Sequence, residues 1–167
     1  MKQKNNKESM TRKDIEQLVD ATTNPMTKAF IDLMYESGCR VGELITMRLN
    51  DILPLDKGVC LHIITNTSSR VITIPDCNKN IIKWLKMHPF KDDSNQYVWI
   101  NKHGKVIRYA DINRLLTRYN SESGITKITP HDIRYIRVKE LSAHFTEDEM
   151  CKYFGWHKKT NNYINSF

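Results

Sequence analysis

Glu36-Ser37-Gly38-Cys39-Arg40-Val41-Gly42-Glu43-Leu44 is the stretch on which the reading of this chain turns. Glycine takes the left-handed backbone conformation that closes a helix at low cost, so Gly38 reads as a helix end. The run Phe30, Ile31, Leu33 and Met34 is then the buried stripe of a helix opened by Pro25. Val41 to Arg48 starts the next helix. Arg40 therefore stands at a helix start, where unpaired backbone N–H groups face anions. Glu43 follows three residues on, on the same helix face. Read from Gly-Cys-Arg alone, Arg40 is more simply a surface arginine paired with Glu36 or Glu43.

Three further stretches change that reading: His131-Asp132-Ile133-Arg134, Gly155-Trp156-His157, and Tyr163. His131 and Arg134 are spaced i, i+3 and share a helix face, and Pro130 places His131 in the first turn. A phosphodiester resists cleavage because its charge repels nucleophiles and its leaving alkoxide is poor. A site that cleaves it neutralises the non-bridging oxygens, supplies a nucleophile and protonates the leaving oxygen. Arginine suits the first task through its planar, permanently charged fork. Histidine suits proton transfer near neutrality. An indole N–H donates one hydrogen bond to a phosphate oxygen, so Trp156 fits the third stretch, with His157 competing for that place and a plain core role as the other reading. A phenol, with an ordinary pKa of about 10, attacks only where nearby positive charge favours the phenolate. Each stretch in isolation is as well explained by solvated or salt-bridged side chains.

The chain has 167 residues and a formal charge of +7, enough for one domain with a real core and suited to a polyanionic partner. No stretch approaches the roughly 20 apolar residues of a membrane span. The Lys- and Asn-rich start has no apolar signal-peptide core. Cys39, Cys60, Cys77 and Cys151 are scattered, without zinc-ligand spacing, and read as reduced thiols. No glycine-rich dinucleotide or nucleotide loop is present, so neither a metal nor a cofactor is implied.

Elsewhere, Met1 to Ser9 is polar and without periodicity. Thr11 with Asp14 caps a helix to about Ala21. Val59 to Ile64 and Arg70 to Ile74 are β-branched runs joined by Thr65-Asn66-Thr67-Ser68-Ser69, a hairpin. Asn78 to Met87 and Ala110 to Tyr119 read as helices, and Tyr97 to Ile100 as a short strand. Thr129-Pro130 opens a helix to about His144, Thr146 with Glu149 opens another to about Phe154, and a short last helix carries Tyr163. The sum is a mainly α domain with a small antiparallel β-sheet.

In this order, the four stretches resemble the catalytic domain of tyrosine recombinases, also called phage integrases or Xer-type site-specific recombinases, from about Met10 to Tyr163. The resemblance implies the α+β fold of that catalytic domain over residues 10–167. It leaves 1–9 as a disordered leader or linker remnant, and the N-terminal DNA-clamp domain absent. Arg40, His131, Arg134, Trp156 and Tyr163 become the catalytic set, with Glu43 orienting an arginine. The implied reaction cleaves and rejoins DNA through a 3′-phosphotyrosine, without metal or ATP, in DNA integration or recombination of the kind mobile genetic elements use. The implied partners are double-stranded DNA and further copies in a tetrameric synapse, in the cytoplasm and, in a prokaryote, with the nucleoid. Lys102, Lys105, Arg108, Arg114 and Arg118 are candidates for DNA-backbone contacts, weighed evenly against ordinary solvated charge. Three departures stand out. Tyr135 follows Arg134 where a histidine is common, and the Trp156–Tyr163 spacing is short. The hairpin has no lysine, where the family usually carries the proton donor to the leaving oxygen; alignment on Arg70 puts that position at Thr65 or Asn66, and Lys57 is the nearest lysine in sequence. The alternative reading is accordingly a catalytically weak or inactive DNA-binding relative.

Overall fold

The computed structural model describes residues 10–75, 79–124 and 127–156. Helix α1 (Arg12–Ala21) starts where the Thr11 backbone N–H and hydroxyl both donate to Asp14 Oδ2, at 2.7 and 3.0 Å. Helix α2 (Pro25–Ser37) is capped by the Asn24 side chain, which accepts the Thr27 N–H at 2.9 Å. It is buried around nearly its whole circumference, from Met26 to Ser37, because α1, α4 (Lys79–Met87) and α6 (Pro130–Ser142) all pack on it. A helix without a polar face belongs at the centre of a fold, and α2 is that centre.

After α2 come the short α3 (Val41–Ile45) and a three-stranded antiparallel sheet in the order β1 (Ile52–Pro54), β2 (Val59–Ile64), β3 (Ser69–Ile74). The β2–β3 register sets Ile63 opposite Arg70 and Leu61 opposite Ile72. Helices α5 (Tyr109–Ser123), α6 and α7 (Glu147–Phe154) complete the described chain. Thr129 with Asp132 and Thr146 with Glu149 form reciprocal caps that start α6 and α7.

One apolar cluster joins α1 to α6 and the inner sheet face, with Phe30 edge-on to Trp99 at 5.0 Å between ring centroids. A smaller cluster of Val138, Met150 and Phe154, flanked by Tyr153 and Trp156, fastens α7 to α6. That second cluster positions the site, since it sets the height at which Trp156 emerges.

The mainly helical fold with a small antiparallel sheet is as expected, with local corrections. Tyr97–Ile100 is not a strand. Val98, Trp99 and Ile100 are buried, but the backbone makes only single bridges, Arg48 to Tyr97 and Ile100 to Val106. Strand-like composition here reports burial on both sides, not a ladder. Helix α3 stops at Ile45 instead of Arg48, and a 3-10 turn (Leu49–Asp51) leads into β1, which the sequence did not announce. Helix α5 runs on to Ser123, closed by Gly124. The helix expected around Tyr163, the leader 1–9 and Cys77 lie outside the described residues. No helix among the described residues is long and apolar enough to cross a membrane.

Packing α4 on α2 buries a charge. Asp32 is 6 % exposed, accepts a hydrogen bond from Asn80 of α4, and has its carboxyl pushed up to about 6 by burial, the Asn80 bond offsetting only part of this. A folded-state pKa above the unfolded value near 3.9 means that folding favours the protonated acid. Its contribution is full below about pH 4 and is lost as pH rises through 6. Asp32→Asn keeps the acceptor for Asn80 and removes the charge. We predict that it stabilises the domain at pH 7.5 by on the order of 2 kcal/mol, and that the gain vanishes by pH 4, as followed by thermal denaturation at both pH values.

Candidate active site

Arg40 stands at the start of α3, directly after the Gly38 turn. Its backbone N–H donates to Glu43 Oε2 at 2.7 Å and its Nη1 lies 3.5 Å from Glu43 Oε1. The side chain is 54 % exposed, so this ion pair leaves most of the guanidinium free for a ligand. One conformation therefore keeps the pair with Glu43 and leaves Arg40 open to a ligand. Glu43 itself is buried and also accepts Arg70 Nη1 at 2.9 Å. Burial alone would raise its carboxyl. The Arg70 hydrogen bond, the Arg40 backbone N–H and the positive charges around it hold it below the usual carboxylate range.

Arg134 reaches across from α6 and donates to the Gly38 carbonyl. Its guanidinium carbon lies 5.0 Å from the Phe154 ring centroid and 5.9 Å from that of Trp156. Burial pushes its pKa down to about 10, and the charge of Arg40 adds to the depression. Arg134 stays ionised at neutral pH, but the site holds like charges close together and balances them only in part through Glu43. An anion set between the arginines relieves that repulsion and fills their free donors.

Two glycines make this approach possible. Gly38 has φ 59, and a Cβ there would stand 2.6 Å from Phe154 Cε1. Gly155, with φ 64, ends α7, and a Cβ would stand 3.0 Å from Arg70 Nη1. Beyond Gly155, the Trp156 N–H returns to the Cys151 carbonyl at 2.9 Å, and its ring stacks on Phe154 at 4.8 Å and 19°. His131 is exposed on the first turn of α6.

Arg40, His131, Arg134 and Trp156, expected from distant parts of the sequence, all line one open groove of about 1010 Å³. Tyr109, Tyr135 and the hairpin turn Thr65–Ser68 line it as well. Tyr163 and His157 lie outside the described residues. Among the described residues no lysine lines the groove. At the position expected for one, the Thr65 hydroxyl organises the turn, donating to Ser68 O at 3.0 Å and accepting the Ser68 N–H at 3.1 Å. Lys102, Lys105, Arg108, Arg114 and Arg118 are exposed but not part of the groove lining, and Arg114 and Arg118 pair with Asp111 and Glu122 on their own helix.

Two neighbours are set aside on chemistry. Burial pushes the Cys39 thiol up to about 11, which makes it a poor nucleophile. Burial also pushes the Tyr153 phenol up to about 12, and its hydroxyl faces the Glu36 carbonyl. Among the described residues, no three His, Cys, Asp or Glu side chains gather in a way that could hold a metal ion.

Arg70 was not singled out from sequence. The signal was available: alternation along β3 places it on the inward face with the buried Ile72 and Ile74, an unusual direction for an arginine.

The fold has close counterparts among solved structures. XerA recombinase matches 95 % of this chain and 59 % of its own at TM-score 0.79 and 19 % identity. XerH site-specific recombinase bound to difH substrate, in a pre-cleavage complex, matches 93 % of this chain and 48 % of its own at TM-score 0.74 and 14 % identity. The lambda integrase catalytic core matches 87 % of this chain and 90 % of its own at TM-score 0.66 and 15 % identity. In sequence, the chain is 29 % identical over 146 residues to the tyrosine recombinase XerD of Listeria monocytogenes, covering 81 % of this chain and 48 % of that protein. It is 25 % identical over 147 residues to transposase A from transposon Tn554 of Staphylococcus aureus, covering 80 % of this chain and 40 % of that protein. The chain thus spans less than half the length of these curated relatives. The family model described as the phage integrase family matches residues 8–167, all but the first few residues. With the arginine groove and the fold on which it is built, this places the chain in the phage integrase family of tyrosine recombinases.

Proposed function

We propose that this chain cuts and rejoins duplex DNA by transesterification, as a site-specific recombinase or integrase. The observation that carries the reading is the groove in which Arg40 and Arg134, brought together from α3 and α6, face one space with His131 and Trp156. Arg40 and Arg134 take the non-bridging oxygens of one phosphate, and Trp156 packs beside them and offers its indole N–H. The Tyr163 hydroxyl oxygen attacks phosphorus, the bond to the 5′ oxygen breaks, and a 3′-phosphotyrosine and a 5′-hydroxyl result. His131 takes the proton of the phenol, and the leaving 5′ oxygen takes a proton from water, since the hairpin turn carries no lysine to give one. Attack by another 5′-hydroxyl reverses the step, and the bond energy is retained throughout, so no ATP is needed. Residues 10–167 form the catalytic unit, and duplex DNA is the partner. The crystallised relatives include a lambda integrase tetramer bound to a Holliday junction, which supports self-association of this chain on DNA.

A nicked duplex that loses its 5′ end after cleavage tests this by trapping covalent protein–DNA adduct. We expect adduct from the wild-type chain, and at least about a hundred-fold less from Arg40→Ala or Arg134→Ala, the scale for deleting one electrostatic stabiliser. The lack of a lysine in the hairpin turn of residues 65–69 predicts slow cleavage of ordinary DNA and faster cleavage of a 5′-bridging phosphorothioate, whose sulfur leaves without a proton donor. Duplex binding without adduct from either substrate would leave the DNA-binding relative as the correct reading.

A further inference from the structure

We propose that Arg70 is a positioning residue for this reaction, holding the Arg40 side of the groove and the Trp156 side at a fixed separation; the inference rests on the strand-transfer reading above. One guanidinium joins three parts of the chain. Nη1 meets Glu43 Oε1 at 2.9 Å, and Glu43 in turn holds Arg40 through the 2.7 Å backbone bond and the 3.5 Å side-chain pair. Nε donates to the Tyr153 carbonyl at 2.9 Å, in the last turn of α7. The same group packs so closely on Gly155 that a Cβ there would stand 3.0 Å from Nη1, one residue before Trp156. Arg70 thus links β3, α3 and the end of α7.

Its burial argues for geometry over stability. The side chain is 10 % exposed, yet among the described residues Nη2 has no hydrogen-bond partner. A buried charged group with an unmade bond is a poor way to stabilise a fold, and an apolar residue of similar volume often serves better. What an apolar residue cannot do is hold a carboxylate and a main-chain carbonyl in one plane. The rigid fork sets the distance between the two groups that must meet one phosphate, and displacements of about an ångström there are enough to matter to the rate.

Arg70→Lys separates charge from geometry, because lysine keeps the charge but cannot make both bonds in one plane. At saturating nicked duplex, Arg70→Lys should slow adduct formation by on the order of ten- to a hundred-fold, with little change in duplex affinity. The same substitution in an Arg40→Ala background should cost no more than about three-fold, since the residue through which Arg70 acts is already gone. Arg70→Met should behave like Arg70→Lys wherever it folds, as judged by its thermal midpoint. Full activity in Arg70→Lys, or an equal loss in both backgrounds, overturns the proposal and leaves Arg70 a structural residue. If the wild type binds duplex but forms no adduct, the strand-transfer reading fails, and the positioning role, which is defined by that reaction, falls with it. Adduct from the wild type with full activity in Arg70→Lys defeats the positioning role alone. A wild type that binds no duplex defeats both.

Discussion

Tyr163→Phe will eliminate the covalent protein–DNA adduct and leave duplex binding unchanged. The substitution removes one hydroxyl and nothing else, so on the proposed mechanism the phosphate grip of Arg40 and Arg134 is untouched while the proposed nucleophile is gone. Tyr163 is the only tyrosine that follows Gly155-Trp156, and the alternative on the other side of those residues, Tyr153, has its phenol pushed up to about 12 by burial. Denaturing gel electrophoresis of nicked duplex incubated with each protein reads the result directly. Tyr109 and Tyr135 also line the groove, so an adduct that persists in Tyr163→Phe would move the nucleophile to one of them. Loss of both adduct and binding would instead mean that the terminal segment contributes to holding DNA.

Duplex affinity should fall about a thousand-fold between 50 and 200 mM salt, on the basis of roughly six phosphate contacts. The groove supplies Arg40 and Arg134, and the excess of positive charge over the whole chain, +7, leaves a surplus for contacts beyond the cleaved phosphate. Lys102, Lys105 and Arg108 are exposed, whereas Arg114 and Arg118 must first give up Asp111 and Glu122. Fluorescence anisotropy titrations across that salt range measure the slope. A flat response would show that affinity does not come from phosphate contacts. Single alanine replacements of the five should each flatten the slope by about one unit where a phosphate contact is lost.

Much of the fold could be read from local chemistry. Asn24, Thr129 and Thr146 sit at helix starts because their side-chain oxygens satisfy N–H groups that the helix leaves unpaired, and Thr11 starts α1 by donating to Asp14, rules that act within a few residues. The Gly38 turn and the i, i+3 spacing of His131 and Arg134 are equally local, but the expectation that Arg40 and Arg134 share one site came from the resemblance, not from either stretch alone. What the sequence concealed depends on partners far away. Tyr97–Ile100 looks like a strand from its side chains, but its backbone meets Arg48 at one end and Val106 at the other. The three residues of β1 end in Pro54 and are recognisable only by their pairing with β2. Arg70 was read only as an anchor for aligning the hairpin, because its structural role lies in Glu43 and Tyr153, contacts spanning 27 and 83 residues.

The hydrogen bond from Arg134 to the Gly38 carbonyl has a consequence for the life of the chain before it is finished. It joins residues 96 apart, and closing so long a loop is costly until the packing of α2 on α6 repays it. A nascent chain that has left the ribosome only as far as α5 carries Arg40 but not the second arginine. Its grip on nucleic acid is then that of any basic peptide. On the proposed reading, the two-arginine grip on a phosphodiester therefore assembles only once α6 has been made and has packed on α2.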